Sequence, residues 1–213
     1  MDVDGREWEL NENGYMRRVG DDNNNTVYMV TGKAKDEFGT RIVNEKGEFV
    51  SMTLNSSVMG RGYSTGSCSA ALVTEDGVQK DAEGKTIMIQ TSFLKLDFTD
   101  NEELAQQFFR FVSQNTDVEW SYWKTSDEKI SLSNSHLNFT DGYGPSMAFA
   151  ACPNNGLLFY HHSHPRWRND GYLTNDQDKN FAIKCKNNGS PSAKFGIMHN
   201  RILYDYNGFL MSF

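Results

Sequence analysis

Cysteine is scarce in this chain: Cys68, Cys152 and Cys185 are its three, and none lies in a Cys-x-x-Cys spacing. An odd, unspaced set argues against both a disulfide framework and a thiolate zinc site, and fits reduced structural thiols. Clusters of Lys or Arg are also missing, and the formal net charge is −7, so the electrostatic footprint of phosphate-backbone binding is absent. That sets nucleic acid aside as the main partner. No apolar run approaches the roughly 20 residues of a membrane span. The opening Met1-Asp2-Val3-Asp4-Gly5 lacks the marks of a signal peptide, so an export address is expected outside this chain.

What is present suffices for a real core. The 213 residues include 14 Phe, nine Tyr, four Trp and nine Met at a mean hydropathy of −0.64, the composition of a soluble globular protein rather than a disordered one. Residues 1 to about 85 are punctuated by turn signals such as Asn13-Gly14, Lys46-Gly47 and Asp76-Gly77, with short β-type runs between them. This part reads as a β-rich N-terminal region of unassigned role. Residues 86–213 alternate strands with helices, which predicts an α/β unit, with α+β as the neighbouring class, built on a mixed sheet flanked by helices.

Within that unit Thr86–Phe98 alternates as a long strand. Thr99 and Glu102 read as a capping box opening a helix over about 100–114, with Leu104, Phe108, Phe111 and Val112 on one face. Asp117–Trp123 reads as a strand. The apolar run Leu157-Leu158-Phe159-Tyr160 reads as a buried strand ended by His164-Pro165. Thr174 and Gln177 make a second capping box, opening a helix to about Asn187 with Gly189 as its stop. Asp178, Phe181, Ala182 and Cys185 share one face of that helix, which turns the carboxylate toward the sheet.

The segment Tyr160-His161-His162-Ser163-His164-Pro165 carries the chemistry. In an extended chain His162 and His164 lie on one face and can converge on a single ion. Neutral imidazole suits zinc, a carboxylate supplies a third ligand, and water keeps a fourth position open. Asp178 is the expected third ligand, with Asp176 as the alternative; a buried carboxylate is costly unless it is paired or bound to a cation. His161 alternates away from this site and reads as a packed or exposed side chain. Hydrolysis needs a general base, and Glu119 is the candidate, on the strand face opposite Val118, Trp120 and Tyr122. Glu102 and Glu103 are rivals whose helix-capping position already accounts for them.

These residues resemble the JAMM/MPN metalloproteases, whose pattern is an upstream glutamate, His-Ser/Thr-His-Pro, then Ser-x-x-Asp. The matching positions are Glu119, His162-Ser163-His164-Pro165 and Asp178. The resemblance implies a cytidine-deaminase-like core, one Zn2+ held by His162, His164 and Asp178, and hydrolysis of amide or isopeptide bonds. Asp178 lies three residues later than the family spacing, which makes Arg166–Leu173 an enlarged loop. Asn175 stands where the family has its serine, and either Asn175 or Thr174 is implied as the oxyanion donor.

At the other end Asp4-Gly5-Arg6-Glu7-Trp8 resembles the junction where the core of RHS-repeat proteins passes into a variable C-terminal toxin. Together the two resemblances imply a JAB-like toxin domain of a bacterial polymorphic toxin. A protein or peptide substrate, a cognate immunity protein, and delivery into a target-cell cytoplasm follow from that implication. The competing expectation is a non-catalytic MPN-type interaction module. Nucleobase deamination needs His-x-Glu with Pro-Cys-x-x-Cys, and Cys152-Pro153 has the wrong order.

Overall fold

The structure is a computed structural model that describes residues 7–20, 25–54, 58–59, 62–74, 77–98, 101–137, 142–164, 176–199, 202–207 and 209–211. The first four strands, β1 (Glu7–Asn11), β2 (Met16–Gly20), β3 (Thr26–Val30) and β4 (Ser51–Thr53), form a small sheet in the order β2-β1-β3-β4. The chain continues through β5 (Tyr63–Ala71), a ribbon of β6 (Val73–Thr74) and β7 (Gly77–Val78), and β8 (Met88–Asp97). Helix α1 (Glu102–Asn115), strands β9 (Trp120–Thr125) and β10 (Ile130–Asn134), and helix α2 (Tyr143–Ala151) follow. The last elements are β11 (Leu157–Ser163), α3 (Asp176–Asn187), β12 (Lys194–His199) and β13 (Ile202–Asp205).

Seven of these strands make one mixed sheet in the order β13-β12-β11-β9-β10-β8-β5. Only β11 and β12 pair in parallel, and a parallel pair needs a crossover, which α3 supplies. The α/β expectation is met. One strand of this sheet, β5, comes from residues 1–85 and pairs with β8 across nine consecutive residue pairs.

Both faces of the central strands are buried, and strand alternation decides what covers each. Trp120, Tyr122 and Leu132 pack with Ala105, Phe108, Phe109 and Val112 of α1, and the same cluster takes in Trp8, Leu10, Val27 and Met29 from the small sheet. Trp123, Tyr160, Phe195 and Ile197 point the other way, onto Ala148 of α2 and Ala182 and Cys185 of α3. The central strands are thus covered on both faces, by α1 and the small sheet on one and by α2 and α3 on the other.

Two local expectations shift. The helix cap is Asn101, whose side-chain oxygen accepts from the Leu104 N–H at 3.0 Å; Thr99 lies outside the described residues. The buried stripe of α1 centres on Ala105, Phe108, Phe109 and Val112, with Leu104 and Phe111 on its margins, because the helix shares its core with both sheets. At the end of α3, Gly189 has φ +109° and Ser190 N–H bonds the Cys185 carbonyl, the left-handed stop expected there.

The two sheets are also joined through His136. Its ring stacks on Tyr15 at 3.8 Å, and Nδ1 donates to the Asn13 carbonyl at 3.0 Å. Burial first, and Lys35 more weakly, push its pKa down to about 4 despite that hydrogen bond. The unfolded chain therefore takes up a proton that the folded chain refuses as pH falls from about 6.5 toward 4. Stability is lost across that window, by up to about 3 kcal/mol for this site. His136→Asn, which tolerates the left-handed φ of +57°, is expected to flatten the fall in urea-unfolding free energy between pH 6.5 and 4.

Candidate metal centre

The site forms at the carboxyl end of β11, where the parallel pair of the seven-stranded sheet opens into its crossover. Along β11 the side chains alternate. Phe159 and His161 stack on each other at 4.8 Å on the α1 face, and His161 is buried there against Tyr122. Burial, then the His162 and Lys194 charges, drive the His161 pKa down to about 3, so it is a neutral packed ring. Tyr160, His162 and His164 point to the opposite face, toward α3, and both of these histidines are buried.

There the donors converge. His162 Nε2 lies 3.3 Å from His164 Nε2 and 3.6 Å from Asp178 Oδ1. Asp178 reaches in from the first turn of α3, whose Ala182 and Cys185 anchor the helix on the sheet. The three donor atoms lie within 4.8 Å of one another, so this group could hold a metal ion.

The spacing suits one particular geometry. A tetrahedral ion with zinc-to-nitrogen bonds of about 2.0–2.1 Å holds neighbouring ligand atoms about 3.3–3.4 Å apart. Two imidazole nitrogens at that separation either share a proton or share a cation. The two-nitrogen, one-carboxylate set is the catalytic zinc pattern that leaves a fourth position open.

Surrounding groups fix the first histidine. Tyr206, in the turn after β13, places its hydroxyl 3.1 Å from His162 Nδ1. Burial foremost, then the nearby Tyr160, Asp178, Glu119 and Cys185, raise its pKa well above the ordinary phenol value, so it remains a neutral hydroxyl. With Nδ1–H donating to that oxygen, Nε2 carries the lone pair that a metal needs. Ser163 sits between His162 and His164 and is fully buried, and its Oγ accepts the Trp120 N–H at 3.0 Å, tying β11 to β9. Tyr160 and Ser121 hydroxyls meet at 2.8 Å one layer below.

Glu119 immediately precedes β9 and is buried. The antiparallel register sets His162 against Ser121. Glu119 lies two residues before Ser121, on the alternation that Ser121 follows. Its charge also acts on Tyr206. Asp176 stands exposed at the start of α3 and is not one of the three converging donors. Glu102 is engaged with Lys124 at 3.0 Å on the other helix. Thr174, Asn175, Pro165 and the Arg166–Leu173 segment lie outside the described residues, as does Asp4-Gly5-Arg6.

Tyr206 and Ser163 Oγ are the participants that residue patterns did not single out. Because an outer hydroxyl of this kind typically accounts for 10–100-fold in metal affinity, Tyr206→Phe is expected to weaken zinc binding by about that factor. Competition against a chromogenic chelator measures it.

Residues 98–183 match the family model described as JAB-like toxin 1. The matched stretch contains Glu119, His162, His164 and Asp178, and it supports a JAB-like toxin domain within this chain. No curated protein and no solved structure matches the chain.

Proposed function

We propose that this chain is a zinc-dependent metallopeptidase or isopeptidase of the JAMM type, acting as a delivered bacterial toxin or effector domain. The observation that carries the reading is the donor spacing: two imidazole nitrogens 3.3 Å apart and a carboxylate oxygen 3.6 Å from one of them, at the end of a buried strand. The match to a JAB-like toxin family over residues 98–183 supports the same reading.

His162, His164 and Asp178 would hold the zinc. When bound, zinc supplies Lewis acidity to the scissile carbonyl and lowers the pKa of a water at the open position. Glu119 takes a proton from the attacking water as its oxygen bonds to the carbonyl carbon. The same carboxyl then returns that proton to the amine nitrogen as the C–N bond breaks. Asn175 or Thr174 donates a hydrogen bond to the oxyanion. Tyr206 keeps His162 in the tautomer that binds metal, and the aromatic residues around the site exclude bulk water.

In this reading the seven-stranded sheet is the cytidine-deaminase-like core, and Asp4-Gly5-Arg6-Glu7-Trp8 marks a junction with an RHS-type carrier. The substrate is a protein or peptide in the cytoplasm of a target cell, and a cognate immunity protein guards the producer. No helix among the described residues is long and apolar enough to cross a membrane. The primary test is metal analysis of the purified chain, with about one zinc per chain expected. Protein that neither retains nor takes up zinc would overturn the proposal.

A further inference from the structure

A groove of about 540 Å³ runs between α3 and the turn that follows β13. Lys179, Ile183 and Lys186 line it from α3 at i, i+4 and i+7, one face of the helix. Lys194 at the start of β12 lines it from the sheet, and Phe195 and Tyr206 lie beneath.

Its charge runs against that of the molecule. The chain carries a formal net charge of −7, yet this groove presents three lysines and a single carboxylate, Asp205. That carboxylate is already engaged, because Asp205 Oδ1 accepts the N–H groups of Asn207 and Phe209 at 2.9 and 2.8 Å. Elsewhere Lys33, Lys95, Lys124 and Lys129 each face an acidic side chain within 3.0 Å. Lys179, Lys186 and Lys194 form no ion pair among the described residues; Lys186 instead lies over the Phe195 ring at 5.9 Å. Between the lysines Ile183 is 55% exposed, an apolar side chain with no core to enter.

The groove also adjoins the metal centre through one side chain. Tyr206 lines it and, by its hydroxyl, contacts His162 Nδ1 at 3.1 Å. An occupant of the groove therefore lies one ring away from a metal ligand.

We infer that this groove docks an extended acidic peptide segment with an apolar residue between its carboxylates, and that the protein substrate carries such a stretch near the scissile bond. The carboxylates would meet Lys179, Lys186 and Lys194, and the apolar side chain would cover Ile183. The substrate half of this inference rests on the proposed hydrolase activity; the docking half does not.

The test uses the full chain and three fluorescein-labelled peptides: Glu-Leu-Glu-Glu-Leu-Glu, its Gln-for-Glu counterpart and its Lys-for-Glu counterpart. Fluorescence anisotropy is expected to show the acidic peptide binding at least tenfold more tightly than the other two, and more weakly as salt rises. The triple variant Lys179→Gln, Lys186→Gln, Lys194→Gln is expected to lose that preference while keeping zinc content and melting temperature. In a mixed peptide library the wild type is expected to cleave acid-rich sequences preferentially, and the triple variant is not. Equal binding of all three peptides, or an unchanged preference in the triple variant, overturns the docking site. Docking without preferential cleavage of acid-rich sequences overturns the substrate assignment. A chain that neither retains nor takes up zinc yet binds the acidic peptide would sink the hydrolase reading and leave the docking site standing. Should the triple variant fold poorly, Lys186→Gln alone, with at least a threefold loss expected, decides the same question.

Discussion

Glu119→Gln is expected to retain about one zinc per chain and to lose hydrolysis, and with it toxicity to cells expressing the domain, by about 10²–10⁴-fold. The size of the effect follows from the asymmetry between the two side chains. Glutamine keeps the length, shape and burial of Glu119, so the sheet and the three converging donors stay in place. What it lacks is a basic oxygen able to take a proton from water and give it back to the leaving amine. Glu119 lies outside the three-donor group, so metal content and activity separate in this variant. If Glu119→Gln lost zinc in parallel with activity, the carboxylate would be a ligand rather than a base. Full activity in the zinc-loaded variant would move the base elsewhere.

The parts of the site that were legible in sequence are those governed by short-range periodicity. Two histidines separated by one residue must share a strand face, and an aspartate three and four residues before Phe181 and Ala182 must share their helix face. Both rules hold, and together they bring His162, His164 and Asp178 into one cluster. The same parity rule sends His161 to the other face, against Phe159 and Tyr122. Glu119 was readable as a candidate from its alternation with Val118 and Trp120, but its action on Tyr206 depends on long-range strand pairing that no local pattern fixes.

What was not legible depends on long-range pairing. Tyr206 reaches His162 only because β11 pairs with β12 and β12 turns back as β13, an arrangement set across a sequence separation of 44 residues. Strand β5 joins β8 across a composition boundary that suggested separate regions. The α1 cap moved from Thr99 to Asn101 because several neighbouring polar residues can each accept from the first turn, and tertiary packing selects among them. In the groove beside α3, Lys179 and Lys186 share a helix face by local spacing, and only the fold adds Lys194 and the Phe195 floor to them.

Asp178 supplies the second large effect, because the sign of its contribution to stability should reverse with the metal. In excess zinc, the wild type gains about 4 kcal/mol at a zinc concentration a thousandfold above its dissociation constant. For a chain of this length that corresponds to a melting shift on the order of 10 °C. Asp178→Asn removes the anionic ligand and is expected to lose most of that shift. With chelator the comparison should invert. The carboxylate then sits partly buried beside His162 without the divalent ion that offsets its desolvation in zinc, whereas the amide of the variant carries no charge. Asp178→Asn is therefore expected to match or exceed the wild-type melting temperature in chelator and to fall well below it in zinc. The opposite reading is a structural ion pair between Asp178 and a protonated His162, 3.6 Å apart. That pair would make the wild type more stable than the variant in both conditions, with no crossing. Differential scanning calorimetry of both proteins, with zinc and with chelator, decides between a metal ligand and a structural carboxylate.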